Sequence, residues 1–255
     1  MAPPMTANQF AAALRAEGAT VVEVGDWRNR NRNHKGPWGP VHGVMIHHTV
    51  TSGTDRTVAI CRDGYTGLPG PLCHGVIAKD GAVHLVGYGR ANHAGSGDDD
   101  VLRAVIAETT LPTANEANTD GNARFYGFEC ENLGDGKDPW PDAQVEGMVR
   151  AAAALCRAHG WTVRSVIRHL DWQPGKVDPR GLDWADVEAR ISERLKHKPG
   201  WSPGRTYTVV KGDTLWGIAA RQLGAGSRSK EITALNPGID PERLAVGQVL
   251  KLPAQ

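Results

Sequence analysis

One short stretch near residue 200 divides the chain into two unequal parts. Residues 197–205, with the sequence HKPGWSPGR, contain two prolines, two glycines and no hydrophobic periodicity. This composition is typical of a linker, because proline and glycine interrupt helices and strands. We therefore predict a larger domain over 1–196, a linker over 197–205 and a small domain over 206–255. A chain of 255 residues is long enough for this arrangement.

The larger part alternates strand-like and helix-like segments. The apolar run Val44–His47 is too short for a surface helix and predicts a buried strand. Further strands are predicted at 74–78 and 82–86, joined as a hairpin by a Lys-Asp-Gly turn, and at 125–131 and 163–169. Helices are predicted around 101–106 and after the capping residues Thr6, Asp142 and Asp183. Strands mixed with helices predict an α/β fold with a mixed central sheet flanked by helices.

The overall charge narrows the classes of partner. The formal net charge is +1, which gives no reason to expect binding to nucleic acid or to an anionic membrane. No segment is long and apolar enough to span a bilayer, and the first residues lack the basic and apolar regions of a signal peptide. We therefore expect a monomer that is made in the cytoplasm without membrane insertion.

Four cysteines lie far apart, at positions 61, 73, 130 and 156. Their spacing contains no CxxC pair, so it predicts neither a dense disulfide framework nor a zinc finger. Cys61 and Cys73 flank a loop rich in glycine and proline and can pair, which the sequence leaves open. Cys130 and Cys156 are expected to be small core residues.

Three residues of the larger part have the side-chain types found in catalytic metal sites. His47 ends the run Val44–His47, while His169 and Asp178 lie in a later segment rich in turn residues. Two imidazoles and one carboxylate leave the fourth position of a tetrahedral zinc ion open for water, which distinguishes a catalytic zinc site from a structural one. The pattern predicts metal-assisted hydrolysis. Taken singly, each of these residues would more often be structural.

Five sequence blocks occur here in an order typical of one enzyme family. They are Val44–Thr49, Cys73–Ile77 with the turn Lys79-Asp80-Gly81, Asn92–Gly95, Tyr126–Glu129 and His169–Pro179. Over roughly residues 20–195, the chain resembles the zinc-dependent N-acetylmuramoyl-L-alanine amidases, which include phage lysozyme-type amidases and the peptidoglycan recognition proteins. The resemblance implies that His47, His169 and Asp178 bind Zn²⁺, and that Glu129 and Lys176 are catalytic.

The resemblance gives the two catalytic residues distinct tasks. Glu129 would take a proton from water and pass it to the leaving amine, and Lys176 would stabilise the oxyanion. Glu131, expected on the same strand face, is the alternative base. Phage lysozyme-type members carry a tyrosine where this chain has Cys73, a poor hydrogen-bond donor, which favours a glutamate as the base. Three further histidines are candidates for supporting contacts and are expected to be mainly structural: His48, His74 and His93.

Residues 206–253 resemble a lysin-motif (LysM) domain, on the segments Tyr207–Ala219, Asn236-Pro237 and Gly247–Pro253. The resemblance implies a small strand–helix–helix–strand (βααβ) fold that binds a glycan containing N-acetylglucosamine. The expected glycan contacts are Gly212, Asp213, Thr214, Leu215, Asn236, Pro237 and Ile239. Asp213 or Thr214 is expected to cap the first helix. The expected core consists of Leu215, Trp216, Ile218, Ala219, Ile232 and Leu235.

Together the two resemblances predict a zinc amidase that cleaves peptidoglycan between N-acetylmuramic acid and L-alanine. A wall-binding module without an export signal is typical of a phage endolysin, which is made in the host cytoplasm and reaches the wall after the membrane is permeabilised. Three alternatives stay open: a peptidoglycan receptor that has lost catalysis, a bacterial autolysin or recycling amidase, and a zinc peptidase that cuts within the stem peptide. The complete set of ligands weighs against the receptor.

Overall fold

The computed structural model describes residues 2–202 and 204–253. The chain divides into two compact units, Met1–Gly200 and Trp201–Gln255. Pro203 of the predicted linker lies outside the described residues, as do the first residue and the last two residues of the predicted domains, 1, 254 and 255. Within the described residues, no helix combines the length and the apolar character needed to cross a membrane.

The larger unit contains ten strands and six α-helices within its described residues. The strands are β1 (Val21–Glu23), β2 (Gly43–His48), β3 (Gly64–Tyr65), β4 (Leu68–Pro69), β5 (Gly75–Ile77), β6 (Val83–Leu85), β7 (Ser96–Gly97), β8 (Thr119–Asp120), β9 (Phe125–Cys130) and β10 (Val166–Arg168). The helices are α1 (Ala7–Ala16), α2 (Thr54–Asp63), α3 (Asp99–Ala107), α4 (Asp142–His159), α5 (His169–Trp172) and α6 (Trp184–Leu195). Short 3₁₀ turns occupy Asn33–Lys35, Gly121–Ala123 and Val163–Ser165.

A six-stranded mixed sheet forms the centre of this unit, with the strand order β1-β6-β5-β9-β2-β10. The hairpin strands β5 and β6 run antiparallel, as predicted, and the other neighbours are parallel. Two small antiparallel ladders, β3 with β4 and β7 with β8, lie outside the sheet. Three adjacent parallel strands, β9, β2 and β10, therefore end at the same edge of the sheet.

Alternate residues of the central strands pack on opposite faces of the sheet. Val44 and Ile46 of β2 join the core that includes α1, α4 and α6. Met45 packs instead with Val101 of α3 and Trp172 of α5. Strand β2 is buried over its full length, as expected for a strand that helices cover on both faces. The predicted α/β fold with a mixed central sheet flanked by helices is confirmed.

Helix caps follow the sequence at two of the three predicted positions. Thr6 and Asp183 accept hydrogen bonds from the first turns of α1 and α6. The prediction that Asp142 caps α4 is wrong, because Pro141 occupies the N-cap position and Asp142 is the first helical residue. The Asp142 carboxylate instead forms an ion pair of 2.7 Å with Arg190 of α6.

The segment predicted as one strand over 163–169 consists of three elements. A 3₁₀ turn precedes β10, and α5 begins at His169. The Asp171 carboxylate accepts the N–H of Arg168 at 2.9 Å and so caps α5. His169 therefore follows the strand at the start of a helical turn, and the prediction that it ends the strand is wrong.

The β5–β6 hairpin approaches helix α4 at a point that leaves no room for a side chain. A Cβ atom on Gly147 of α4 would lie 2.3 Å from the carbonyl oxygen of Gly81 in the hairpin turn. Gly81 itself has a φ of +86°, which side chains other than hydrogen disfavour. The close packing of hairpin and helix thus depends on glycine at both positions.

The smaller unit has the predicted βααβ order. Its elements are β11 (Arg205–Thr208), α7 (Leu215–Leu223), a 3₁₀ turn (Gly226–Arg228), α8 (Ser229–Leu235) and β12 (Val249–Leu252). The two strands pair antiparallel. Thr214 caps α7, since its Oγ1 accepts the N–H of Gly217 at 3.1 Å. Four of the six predicted core residues are in the core: Leu215, Ile218, Ala219 and Ile232.

The other two predicted core residues, Trp216 and Leu235, are 63% and 43% exposed. Successive residues of a helix point about 100° apart, so Trp216 turns away from the core that Leu215 enters. Its indole covers Gly226 instead, where a Cβ atom would lie 2.2 Å from the ring. The prediction that both residues fill the core is therefore wrong.

Candidate metal centre and active-site cleft

Parallel strands bring the predicted site residues to one edge of the sheet. His47 of β2 and Glu129 of β9 are register partners near the carboxyl ends of their strands. Strand β10 runs parallel to β2 on its other side and leads directly into His169. Ligand sites of α/β proteins commonly lie at such an edge. Residues far apart in the sequence thus meet because their strands are neighbours.

Three donor atoms of His47, His169 and Asp178 form a compact triangle. Nδ1 of His47 lies 3.0 Å from Nδ1 of His169 and 3.2 Å from Oδ2 of Asp178. The third edge, from Nδ1 of His169 to Oδ2 of Asp178, is 3.0 Å. The structure therefore brings together the three residues that the sequence predicted as metal ligands.

The charges of these groups suit a metal cation. Burial, reinforced by the nearby His169, lowers the pKa of His47 to about 4. Burial alone would raise the pKa of Asp178, but its close contacts with His169 and His47 outweigh burial and hold this pKa well below its usual range. At neutral pH His47 is therefore uncharged and Asp178 is ionised, the forms in which these side chains bind metals.

A chain of hydrogen bonds fixes the ring proton of His47. The carbonyl oxygen of Phe125 can only accept, so Nε2 of His93 donates to it at 3.1 Å. Burial lowers the pKa of His93 well below its ordinary value, so the other nitrogen of this neutral ring, Nδ1, accepts from Nε2 of His47 at 3.1 Å. Nδ1 of His47 therefore presents a lone pair to the triangle, in the orientation that metal ligands require.

This donor set fits a bound divalent metal. The unprotonated Nδ1 of His47 and the Asp178 carboxylate oxygen lie 3.2 Å apart, both beside Nδ1 of His169, and a cation stabilises donor atoms held so close together. Nε2 of His169 is buried and has no hydrogen-bond partner among the described residues, so this ring, unlike that of His47, is held only on the side of the triangle. Two nitrogens and one oxygen are the ligand types of catalytic zinc sites.

The triangle lines a cavity of about 440 Å³, together with Glu129 and Lys176. Oε2 of Glu129 is buried without a hydrogen-bond partner among the described residues. Burial, followed by the nearby Cys61 and Asp178, raises the pKa of Glu129 well above its usual range. A buried acid without a fixed partner is suited to exchanging a proton, and a cation on the triangle would favour its ionised form. Lys176 is exposed.

Glu131 is not among the described residues that line this cavity. Its Oε1 accepts the N–H of Gly53 and its Oε2 accepts the hydroxyl of Thr54, each at 2.7 Å. Strand β9 ends at Cys130, so the strict alternation that would place Glu131 on the same face as Glu129 stops before it. Its carboxylate holds the loop that follows β2.

Two of the remaining histidines are bound by the backbone. Nδ1 of His48 accepts the N–H of Arg180 at 3.0 Å. Nδ1 of His74 accepts the N–H of Gly127 at 2.9 Å, and its Nε2 donates to the carbonyl oxygen of Gly89 at 2.8 Å. Both rings therefore have structural contacts, although His48 also lines the cavity.

Cys61 and Cys73 are free thiols, buried in a small apolar cluster with Val58 and Val76. Burial raises the pKa of the Cys73 thiol well above its ordinary value. The position at which phage lysozyme-type amidases carry a tyrosine is thus a neutral thiol inside the core. This placement supports Glu129 as the group that exchanges protons in the cavity.

Sequence reasoning missed most of the cavity wall. The additional lining residues are Val50, Leu68, Leu72, Asn92, Gly95, Gln173, Gly175 and Val177. Most of them lie in loops, where no periodicity marks a residue as lining a site. His93, one of the three candidates for supporting contacts, does contact a predicted ligand, His47.

In the smaller unit, two of the predicted glycan contacts stabilise the module itself. Asp213 accepts the hydroxyl of Tyr207 at 2.8 Å and the N–H of Val210 at 2.9 Å. Asn236 donates from Nδ2 to the carbonyl oxygen of Lys251 at 2.7 Å and accepts the N–H of the same residue at 2.8 Å. Both side chains are occupied by these bonds.

The other predicted glycan contacts differ in their exposure. Leu215 is buried, Thr214 caps α7 and Ile239 packs against the core. Gly212 adopts a φ of +89° in the turn before α7, and Pro237 is exposed. Contact between these residues and a glycan stays a prediction.

Two family models match the chain. Residues 37–181 match the model described as N-acetylmuramoyl-L-alanine amidase, and residues 207–253 match the LysM domain. The chain is 31% identical over 173 residues to the N-acetylmuramoyl-L-alanine amidase XlyB of Bacillus subtilis (strain 168). This match covers 63% of the chain and 53% of XlyB, so the chain spans about half the length of this curated relative.

Solved amidase structures are similar to the chain at low sequence identity. LysCS from Clostridium intestinale URNW, an endolysin amidase, is 18% identical with a TM-score of 0.44, over 68% of this chain and 95% of LysCS. AmiD from E. coli, solved with an anhydro-N-acetylmuramic acid peptide substrate, is 17% identical with a TM-score of 0.45, over 62% of this chain and 60% of AmiD. The amidase model covers more than half of the 255 residues. The chain therefore belongs to the N-acetylmuramoyl-L-alanine amidase family and carries a LysM domain at its carboxyl end.

Proposed function

We propose that this chain is a zinc-dependent N-acetylmuramoyl-L-alanine amidase, which hydrolyses the amide bond between N-acetylmuramic acid and L-alanine in peptidoglycan. The observation that carries the proposal is the triangle of His47, His169 and Asp178 beside Glu129 and Lys176 in one cavity. All three proposed ligands lie within the segment 37–181 that matches the amidase family model. Family and geometry therefore point to the same residues.

His47, His169 and Asp178 would hold the zinc ion. When bound, zinc supplies Lewis-acid chemistry that lowers the pKa of water toward ~7, so that a nucleophile is available at neutral pH. His47 is oriented for zinc before the ion binds, because the hydrogen bond to His93 already fixes its ring proton on Nε2.

Glu129 and Lys176 would move the proton and stabilise the charge. Glu129 accepts a proton from the attacking water and delivers it to the nitrogen of the leaving L-alanine, which completes the hydrolysis. Its buried Oε2 atom, free of other bonds within the described residues, is available for both transfers. The Lys176 ammonium stabilises the oxyanion that develops on the carbonyl oxygen.

The LysM domain would bind glycan that contains N-acetylglucosamine and keep the enzyme at the wall. A tethered binding module raises the effective concentration of the catalytic domain near its substrate. An endolysin that lyses a bacterial host from within would use both activities together. We therefore propose the role of a phage endolysin, with bacterial peptidoglycan as its partner.

Digestion of purified peptidoglycan tests this function. Mass spectrometry is expected to find free stem peptides that begin with L-alanine, which disappear with a zinc chelator and return when zinc is added. Glu129→Gln should keep its zinc and lose about 10²–10⁴-fold in turnover, the typical contribution of a proton-transfer group. Bound but intact peptidoglycan would instead identify a receptor, and fragments cut inside the stem would identify a peptidase.

A further inference from the structure

Val50 is a strained residue in the wall of the cavity. Its φ is 52°, in the left-handed region that β-branched residues rarely adopt. It is 66% exposed although it is aliphatic, and it lines the same cavity as His47 and Glu129. Residues held in such conformations cluster at ligand sites. The conformation therefore makes Val50 a candidate for contact with a ligand in the cavity.

The residues on both sides of Val50, Thr49 and Thr51, are held by hydrogen bonds. The N–H of Thr49 donates to the carbonyl oxygen of Cys130 at 3.1 Å. The hydroxyl of Thr51 donates to the hydroxyl of Thr49 at 2.8 Å and so bridges across Val50. A second hydroxyl contact of 2.7 Å links Thr51 to Thr57 of helix α2. The strained residue is thus fixed by its neighbours.

Glu131, which directly follows strand β9, anchors the same loop. The carboxylate is 4% exposed, and each of its oxygens accepts one bond of 2.7 Å, from the N–H of Gly53 and from the hydroxyl of Thr54. A buried carboxylate held by two such bonds makes a rigid support. This gives Glu131 a task that does not involve proton transfer.

The cavity that Val50 lines has aliphatic as well as polar lining residues. Leu68 of β4 and Val177 line the same cavity, and Val177 is 49% exposed. The polar part of the lining includes the triangle of two imidazoles and one carboxylate, from His47, His169 and Asp178. A cavity of this kind suits a reacting polar group that carries a small apolar substituent.

We propose that Val50 contacts the methyl side chain of the first stem-peptide residue and selects L-alanine over glycine at this position, with Glu131 as the positioning residue that holds Val50 there. This inference rests on the proposed amidase function, because that function places the L-alanine beside the scissile bond. It adds a substrate contact that the metal ligands and the proton-transfer group do not provide.

The test compares two soluble muramyl peptides, one with L-alanine and one with glycine at the first position, on the full-length chain loaded with zinc. The wild type is expected to prefer L-alanine in kcat/KM by about tenfold or more, the range for one methyl group in an apolar site. Val50→Ala and Val50→Gly should both reduce this preference to near one. Val50→Ala keeps a Cβ atom in the left-handed conformation, so it separates the loss of contact from the release of strain.

Thermal unfolding of the same variants checks the strain. The midpoint of Val50→Gly should lie above that of Val50→Ala by about 2–4 °C, because only glycine adopts the conformation freely.

Glu131→Gln should also lower the preference for L-alanine, and should lower it no further in a chain that already carries Val50→Ala. A purely structural role of Glu131 would leave the substrate preference unchanged.

The outcomes separate this inference from the function on which it rests. If the wild type releases no peptide from either substrate, the amidase proposal fails and the Val50 proposal fails with it. If the wild type hydrolyses both without preference, or if both Val50 variants keep the wild-type preference, the amidase stands and the Val50 proposal alone is overturned.

Discussion

At the scale of single residues, the site depends on where each proton lies. His47 donates a hydrogen bond to His93, and His93 donates one to the carbonyl oxygen of Phe125. These two bonds determine which nitrogen of His47 faces His169 and Asp178. Gly127 is part of this arrangement, since a Cβ atom there would lie 2.4 Å from the ring of His93. The ligand is therefore oriented by a residue that does not itself belong to the triangle.

The variant His93→Ala is expected to bind zinc about 10–100-fold more weakly, because His47 loses the acceptor that fixes its tautomer and orientation. Competition with a chromophoric chelator measures the affinity directly. His42→Ala is a matched control, because His42 precedes β2 and lines a different cavity. Equal affinity of His93→Ala and the wild type would show that the hydrogen bond does not support the ligand.

The sequence predicts individual residues well where they end strongly apolar strands. His47 and Glu129 follow such runs, and both line the cavity. Val50 and Leu68 could not be predicted, because they lie in a loop and in the two-residue strand β4, where no periodicity marks a residue as lining a site. Asp213 and Asn236 show a related limit. The side chain of a polar residue in a recognised motif can be used in hydrogen bonds to the backbone of its own domain.

At the scale of elements, a buried ion network joins helices α1, α4 and α6. Arg194 of α6 is 1% exposed and pairs with Glu17, which follows α1, at 3.3 Å. It also pairs with Glu146 of α4. Arg157 of α4 reaches Glu17 at 3.0 Å. These charges lie among the helices that cover one face of the sheet.

Arg194→Ala is expected to destabilise the protein by roughly 3 kcal/mol, because the buried carboxylate of Glu17 loses its fully buried partner and keeps only Arg157 among the described residues. Urea unfolding followed by circular dichroism gives the free energy. Lys196→Ala removes an exposed pair with Glu193 on the same helix and should change the stability by less than about 1 kcal/mol. A small effect of Arg194→Ala would mean that water or other groups compensate the carboxylates.

Elements with strong periodicity or clear caps were predictable, whereas their ends were not. The buried strand β2, the hairpin and helices α3, α4 and α6 lie where the sequence predicts them. The strand expected over 163–169 was wrong because a side-chain cap from Asp171 starts a helical turn at His169. Local capping therefore overrides an apolar pattern when the strand is short.

At the scale of the whole molecule, stability and pH are linked through buried histidines. His74 is fully buried and is surrounded by aromatic rings, including those of Phe10, Trp38 and Tyr126. Burial lowers its pKa from 6.5 to about 4. The unfolded chain therefore takes up a proton between pH 6.5 and pH 4 that the folded chain does not.

The stabilising effect of neutral His74 is fully present above pH 6.5 and is lost as the pH falls through 4. This residue alone should cost about 3 kcal/mol of unfolding free energy between pH 7 and pH 4. Urea unfolding of metal-free protein across this range measures the slope, and His74→Gln should show a shallower one. The same slope in both proteins would exclude His74 as the source.

The division into two units would allow one chain to combine the proposed catalysis and the proposed wall binding. The βααβ order and the mixed central sheet followed from the sequence, because both depend on local patterns and a recognisable series of blocks. The pairing of β2 with β9 and β10, which brings His47, Glu129 and His169 together, joins strands about 80 and about 120 residues apart in the sequence. Such pairing could be expected from the resemblance but not from periodicity.

Zinc binding by full-length protein tests the central claim most directly. Metal-free wild type and His169→Ala are titrated with zinc, and the bound metal is measured by mass spectrometry after removal of the excess. The account predicts about one zinc ion per wild-type chain, with hydrolysis restored in parallel, and loss of both in His169→Ala. A His169→Ala chain that binds zinc as tightly as the wild type, or that hydrolyses peptidoglycan fully, would contradict it.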